Sequence, residues 1–241
     1  MALPTRIHDT TSSSIAPREE LSMLAPLVAY VPETLAPLGL TRHERELWLR
    51  APIGGEPLFR RLVEPLVRLG ISSLPLFGSV LAEDLARLLE RSPCFGIRAV
   101  SLPDPLPSHG PGSGFVASLP DLAGSAFRSL DKPASLMELA RRGLYVLAGL
   151  APPAGSWRGS LLLGARSRVG KRVLVTGRAA VGRDSLVRGR TVLGPDTVIG
   201  RHCFVGAGAR LESCVLLDGS TVRPGEVLEG VVRLGTRDLI L

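Results

Sequence analysis

The chain has 241 residues, 45% hydrophobic but only 4% aromatic, and its net charge of +7 is almost all arginine, with lysine only at Lys132 and Lys171. That length suits one large domain or two modest ones with aliphatic cores. Three dispersed cysteines (Cys94, Cys203, Cys214) without CxxC spacing exclude a disulfide framework and fit a reducing cytoplasm. The most apolar early stretch, Leu21 to Leu40, is broken by Pro26, Pro32, Glu33 and Pro37, which excludes a membrane helix there.

Residues 1–20 are Ser/Thr-rich and are expected to be a disordered tail; they hold no charged segment leading into an apolar run, so no secretory signal is expected. Residues 21–150 read as an α/β domain. Glu56 to Leu69 has helical periodicity, with Leu58, Leu62, Pro65, Leu66 and Leu69 on one face and Arg60, Arg61, Glu64 and Arg68 on the other. Pro57 suits the first turn and Gly70 the stop. A strand is expected over Ile71–Phe77, a helix over Leu81–Glu90 and a strand over Ile97–Leu102. Strand, helix, strand in this order implies a parallel sheet. A Pro/Gly/Ser loop follows, Pro103 to Gly114, and then a helix over Ser135–Leu147, with Ser135 as N-cap and Glu138 completing a capping box. Ala151 to Gly159 reads as a linker.

Residues 160–234 carry an internal repeat. Every sixth residue from Leu163 is aliphatic: Val169, Val175, Val181, Val187, Leu193, Ile199, Val205, Leu211 and Leu217 follow in step. Glycine comes next at Gly164, Gly170, Gly182, Gly194, Gly200 and Gly206. Four residues after each aliphatic stands a small or β-branched one, such as Ser167, Ala179, Ser185, Thr191, Cys203 and Ala209. Three short strands per triangular coil place each aliphatic inside a prism with a small residue beside it, and the coils stack through backbone hydrogen bonds. A period of six cannot come from an ordinary amphipathic strand, whose period is two. The pattern ends near Val222; Pro224 and Gly225 turn the chain, Val227 to Val232 reads as one more strand, and the tail 235–241 is expected to cover the open end or pair with another subunit.

Several segments in order resemble the nucleotide-sugar pyrophosphorylases, or sugar-phosphate nucleotidyltransferases. Thr34–Leu38 (TLAPL) sits where that family's signature loop leads into "RPLT", Pro52–Leu58 (PIGGEPL) is similar to its "PVAGRPL" turn, and Leu69–Ser73 (LGISS) is similar to its step into the second strand. Leu81–Leu89 looks like the helix that follows, Phe95–Ala99 with Pro105–Phe115 (PLPSHGPGSGF) like its "PLGTAGAL" loop, and Ser129–Leu139 like its "idtPedY" helix. Leu216–Val232 (LLDGSTVRPGEVLEGVV) looks like its terminal coil. The resemblance implies a truncated nucleotidyltransferase-like parallel α/β domain followed by a C-terminal left-handed parallel β-helix. The departures are specific. The family's "GGxGTRL" phosphate cradle is absent from Val28–Leu38, Arg42–Arg50 has no lysine for the substrate phosphate, and the segment from Gly114 to Asp131 is short. No pair of aspartates replaces the family's metal ligands, so no metal site and no cofactor are expected, Mg²⁺ being needed only if nucleotidyl transfer survives. The resemblance thus implies a shortened, catalytically degraded relative.

The loop Ser108–Gly114 makes His109, Gly110, Gly112 and Gly114 the candidates for nucleotide or phosphate contact. His202 stands on the outward side of a coil, where hexapeptide-repeat acyltransferases place a general base. Between Arg158 and Arg210 lie ten arginines and Lys171 against only Asp184 and Asp196. Six- and eighteen-residue spacing suggests that Arg166, Arg172, Arg178 and Arg190, and also Arg183 and Arg201, form rows on one basic face for an acidic partner. Aromatics do not interleave with these arginines, which disfavours nucleic acid. Three functions are in play. The first is a non-catalytic regulatory or scaffolding subunit in the cytoplasm, as a homo-oligomer or in a hetero-complex with a related enzyme. The others are an active nucleotidyltransferase and an acyltransferase using His202.

Overall fold

The computed structural model describes residues 28–92, 96–102, 116–147 and 155–240. It has a parallel-sheet α/β region followed by a β-solenoid of about four turns. The expected tail 1–20 and the loop Pro103–Gly114 lie outside the described residues.

The N-terminal elements are β1 (Val28–Val31), α1 (Arg42–Leu49), β2 (Pro52–Ile53), β3 (Glu56–Pro57), α2 (Leu58–Arg68), β4 (Ser73–Gly78), α3 (Val80–Glu90), β5 (Arg98–Ser101), β6 (Val116–Ser118), α4 (Leu119–Ala123) and α5 (Pro133–Leu147). The sheet has the order β5-β4-β1-β6 and is parallel throughout. Ala29, Val31, Leu74, Leu76 and Ala99 are fully buried in it, as short apolar strands covered by helices must be. β2 and β3 form a tight hairpin turned by Gly54 and Gly55, both at positive φ.

Two expectations need correction here, and one helix is new. Helix α2 ends at Arg68; Leu69 is the C-cap residue and is 76% exposed, because Gly70 at φ 79° turns the chain away. Helix α5 starts at Pro133, whose fixed φ and missing N–H suit a first helical position. Ser135 is therefore inside the first turn, and Glu138 binds Arg141 and Arg142 instead of closing a capping box. Helix α1 was not expected. It is opened by a reciprocal box in which the Glu44 amide donates to Thr41 Oγ1 (3.3 Å) and the Thr41 amide donates to Glu44 Oε2 (2.8 Å).

The solenoid has three faces. Face 1 stacks β8 (Leu161–Gly164), β11 (Ala179–Val181), β14 (Thr197–Ile199), β17 (Val215–Leu216) and β20 (Val231–Leu234), with β7 (Gly155–Arg158) and β21 (Arg237–Ile240) added antiparallel at its ends. The expected linker therefore contains a strand. Face 2 stacks β9 (Arg168–Val169), β12 (Leu186–Val187), β15 (Phe204–Val205) and β18 (Thr221–Val222). Face 3 stacks β10 (Leu174–Val175), β13 (Val192–Leu193), β16 (Arg210–Glu212) and β19 (Val227–Glu229). Edge 1 joins faces 1 and 2, edge 2 joins faces 2 and 3, and edge 3 returns the chain to face 1.

The six-residue step slips twice, both times at edge 3, where the turns at Ser213 and at Gly230 are each one residue short. Leu216, not Leu217, pairs with Ile199 and points inward, because the edge-3 turn formed by Pro195 and Asp196 in one coil has only Ser213 in the next. Leu217 instead joins the core of the α/β region. The shift makes Cys214 the small interior residue of that coil, the same role that Cys203 has at another corner. The inward column then runs Leu163, Val181, Ile199, Leu216 and Arg233. Arg233 is 4% exposed; its guanidinium donates to Asp238 Oδ1 (2.6 Å) and Oδ2 (2.7 Å), Glu226 Oε1 (2.8 Å) and the Thr221 carbonyl (3.2 Å). The tail thus folds back as β21 on face 1 and supplies the carboxylate that holds this arginine at the end of the prism.

The two regions share a core. The outward column of face 1 is apolar (Leu162, Ala180, Val198, Val215, Val232), and α5 and α1 pack on it. One buried cluster runs from Leu35 and Trp48 through Leu136 and Ala140 to Val198, Val215 and Val232. Gly143 lets the helix approach the β2–β3 hairpin: a Cβ there would lie 2.4 Å from the Gly54 nitrogen.

Candidate functional site

In a parallel sheet of this order, ligands enter outside the carboxyl ends of the strands, between β1 and β6. A phosphate there needs backbone amides that face the crevice. After β1 the chain makes a 3₁₀ turn over Glu33–Leu35, and its amides bond locally: Leu35 N donates to Pro32 O (3.4 Å) and Ala36 N to Glu33 O (3.3 Å). Leu35 and Ala36 are buried, Trp48 Nε1 donates to the Leu35 carbonyl (3.0 Å), and Leu130 N donates to the Thr34 carbonyl (2.8 Å). Leu35 and Ala36 are thus packed into the core, while Glu33, Thr34 and Leu38 stay exposed. The nearby buried Asp84 is likewise committed, to Arg45 (2.6 Å) and Arg87. His109, Gly110, Gly112 and Gly114 lie outside the described residues.

The six arginines divide among three edges, because a six-residue step moves one face around the prism and only a full coil returns to the same edge. Arg166, Arg183 and Arg201 lie on edge 1, Arg172 and Arg190 on edge 2, and Arg178 on edge 3 over the Tyr145 ring at 4.5 Å. On edge 1, Arg166 grips Asp184 one coil along through Oδ1 (2.6 Å) and Oδ2 (2.7 Å), and this pairing foremost holds the Asp184 carboxyl below the usual range. His202 is the next residue on that edge, exposed and at φ 55°, with its amide donating to the Arg183 carbonyl (3.1 Å). Among the described residues Asp184 is hydrogen-bonded to Arg166 and not to the His202 ring, so no carboxylate bond orients the imidazole.

Edge 2 differs. Lys171, Arg172 and Arg190, flanked by Arg168 and Arg188, are all exposed or half-exposed, and none has an ion-pair partner among the described residues. Arg172 and Arg190 are one coil apart, about 4.8 Å in backbone spacing. Unscreened like charges at that distance repel by about 1 kcal/mol even in water.

A cleft lies where the β2–β3 hairpin and α5 meet face 1 and edge 1. It encloses about 190 Å³ and opens past Arg50, Glu56, Pro57, Arg201 and Asp218 into a second hollow of about 300 Å³. Its floor is apolar (Leu144, Leu162, Ala180, Val198), and the stacked Gly164, Gly182 and Gly200 form the edge-1 wall. Burial pushes the Asp218 carboxyl up, opposed by the Arg201 amide on Oδ1 (2.7 Å) and by the charges of Arg201 and Arg50. This cleft was not foreseen. Its residues come from three distant parts of the chain, and the sequence signals for it were the Gly54–Gly55 turn and the mid-helix Gly143.

Among the described residues no group of three His, Cys, Asp or Glu is placed to hold a metal ion. Burial pushes the Cys203 and Cys214 thiols up to about 12, so both are held as inert thiols. No helix among the described residues is long and apolar enough to cross a membrane. No family model and no curated protein matches the chain. Among solved structures, the acetyltransferase domain of PglB from Neisseria gonorrhoeae FA1090, in complex with acetyl coenzyme A, is similar at 12% identity with a TM-score of 0.19, over 70% of this chain and 100% of that one; a likeness this slight says nothing of this chain's chemistry.

Proposed function

We propose that this chain is a non-catalytic relative of the nucleotide-sugar pyrophosphorylases that acts as a regulatory or scaffolding subunit, with the solenoid as that family's left-handed β-helix. The observation that carries this reading is the loop after β1: Leu35 and Ala36 are buried and their amides bond within the turn, where nucleotidyl transfer would need them free for phosphate. The core shared across Val198, Val215 and Val232 supports a single rigid body suited to assembly. On this reading the unpaired edge-2 cations, Arg172 and Arg190 with Lys171, receive an acidic surface of a partner enzyme.

The test is a titration of the purified chain against a purified pyrophosphorylase of the same cell, read by analytical ultracentrifugation at two ionic strengths. The reading expects a stoichiometric complex that weakens at high salt, where the Debye length shrinks to about 3 Å, and that is lost in Arg172→Glu/Arg190→Glu. A complex indifferent to both changes would remove edge 2 from the account. The acyltransferase reading has one favourable observation, the exposed His202 on edge 1. It requires acyl-CoA turnover that disappears in His202→Ala.

A further inference from the structure

The geometry points to the cleft between the α/β region and edge 1 as a binding site for a small organic phosphate, with its non-polar part in the inner chamber and its phosphate between Arg50 and Arg201. The site is distinct from the crevice at the strand ends and from edge 2, so it stands or falls apart from the partner-docking reading.

Size and lining come first. The inner chamber of about 190 Å³ has room for roughly six waters at about 30 Å³ each, the scale of one small ring or a branched alkyl group. Its floor of Leu144, Leu162, Ala180 and Val198 offers water few hydrogen bonds, so an apolar occupant gains by displacing it.

Charge supplies the second half. Neighbouring arginines at the mouth are already engaged: Arg60 with Glu56 at 2.8 Å, and Arg91 with Glu46 at 3.8 Å. Arg50 and Arg201 have no ion pair within 4 Å among the described residues, and both are half-buried. They face one half-buried carboxylate, Asp218, which already accepts the Arg201 amide at 2.7 Å. Two guanidiniums around one carboxylate leave a surplus positive charge in a partly desolvated mouth, and a phosphate ester accepts from both. A simple apolar ligand would leave that surplus unmet, and a cation would be repelled by it.

Position gives the consequence. Arg50 follows α1 in the α/β region, and Arg201 sits on the solenoid edge. A phosphate held by both ties the two regions together, so its binding would stiffen the joint on which a scaffold depends.

The experiment is calorimetric titration of the full chain with inorganic phosphate, uridine 5′-monophosphate, glucose 1-phosphate and isopentenyl phosphate, which separate nucleoside, sugar and alkyl sources. The expected result is one-to-one binding of at least one organic phosphate, ten or more times tighter than inorganic phosphate. Arg50→Gln and Arg201→Gln should each weaken it about tenfold or more, the range for a lost charge-assisted hydrogen bond. Ala180→Met, which fills the chamber, should abolish binding of the organic phosphate while leaving weak binding of inorganic phosphate. Circular dichroism melts of each variant confirm that it is folded. Three results would overturn the inference: no organic phosphate binding at millimolar concentration, inorganic phosphate binding as tightly as every ester, or unchanged affinity in both arginine variants.

Discussion

Replacing Asp238 by Ala tests how the solenoid is closed. Arg233 occupies an inward position that Leu163, Val181, Ile199 and Leu216 fill in the preceding coils. Its guanidinium is paid for by Asp238 and Glu226, and its side chain is 4% exposed against 31% for Asp238. Asp238→Ala removes two charge-assisted hydrogen bonds and leaves the buried cation with Glu226 and the Thr221 carbonyl. Each such bond is worth about 1.5–3 kcal/mol, discounted here because the Asp238 side chain still reaches water, so the loss should be about 2–4 kcal/mol. Arg233→Met behaves differently. It restores an apolar residue to the inward column and leaves Glu226 and Asp238 near solvent, so its cost should stay within about 1 kcal/mol. In the double variant the Asp238→Ala cost should largely vanish. The assay is urea unfolding followed by far-ultraviolet circular dichroism, with the slope checked for constancy. If Asp238→Ala costs less than about 0.5 kcal/mol, or Arg233→Met costs as much as Asp238→Ala, the closure argument fails.

Gly143→Ala gains helix propensity of about 1 kcal/mol but drives a Cβ to 2.4 Å from the Gly54 nitrogen, so net destabilisation of about 1–3 kcal/mol is expected in thermal melts; a stabilised variant would mean that the hairpin does not sit against α5. In a Cys94→Ser background the native protein should resist thiol labelling at pH 8 for minutes, since burial pushes Cys203 and Cys214 up to about 12; immediate labelling of both would show an opening prism. Glu226 is held below its ordinary value of 4.5 foremost by its bond to Arg233, so its contribution is present above pH 4.5 and lost as pH falls through the lowered value. Arg233→Met should therefore flatten the acid limb of the stability profile, and an unchanged limb would contradict that assignment. Glu138 is drawn down to about 2 by Arg141 and Arg142 but is exposed, so Glu138→Gln should change stability little and least at high salt.

The solenoid was legible because an interior filled every sixth residue leaves a period that nothing else produces. The slip at Ser213 was not, because Leu216 and Leu217 are both leucine and Cys214 and Val215 both suit a small interior position. Arg233 was invisible for a different reason: a cation at an inward position makes sense only once Asp238, from the tail, is seen to meet it. Helix α1 (RHERELWL) has too few apolar residues for periodicity to find, although the Thr41–Glu44 box was available in the sequence. At Pro133 two start signals competed, and the proline at the first helical position prevailed over the serine two residues later. The row Arg166, Arg172, Arg178 and Arg190 was misread because six residues advance one face, whereas Arg183 and Arg201, a whole coil apart, do share edge 1. The docking of the α/β region was readable in principle, from the apolar outward column Leu162, Ala180, Val198, Val215 and Val232 on one face of the three. The cleft was not, since it exists only after that docking brings Arg50, Leu144 and Arg201 to one place.

The most direct test of the proposed function is a pyrophosphate-release assay on the full chain, with each nucleoside triphosphate paired with sugar 1-phosphates, with and without Mg²⁺. A loop closed by Leu35 and Ala36 predicts release no faster than in the protein-free control under every condition. Metal-dependent release that scales with protein concentration would contradict the account.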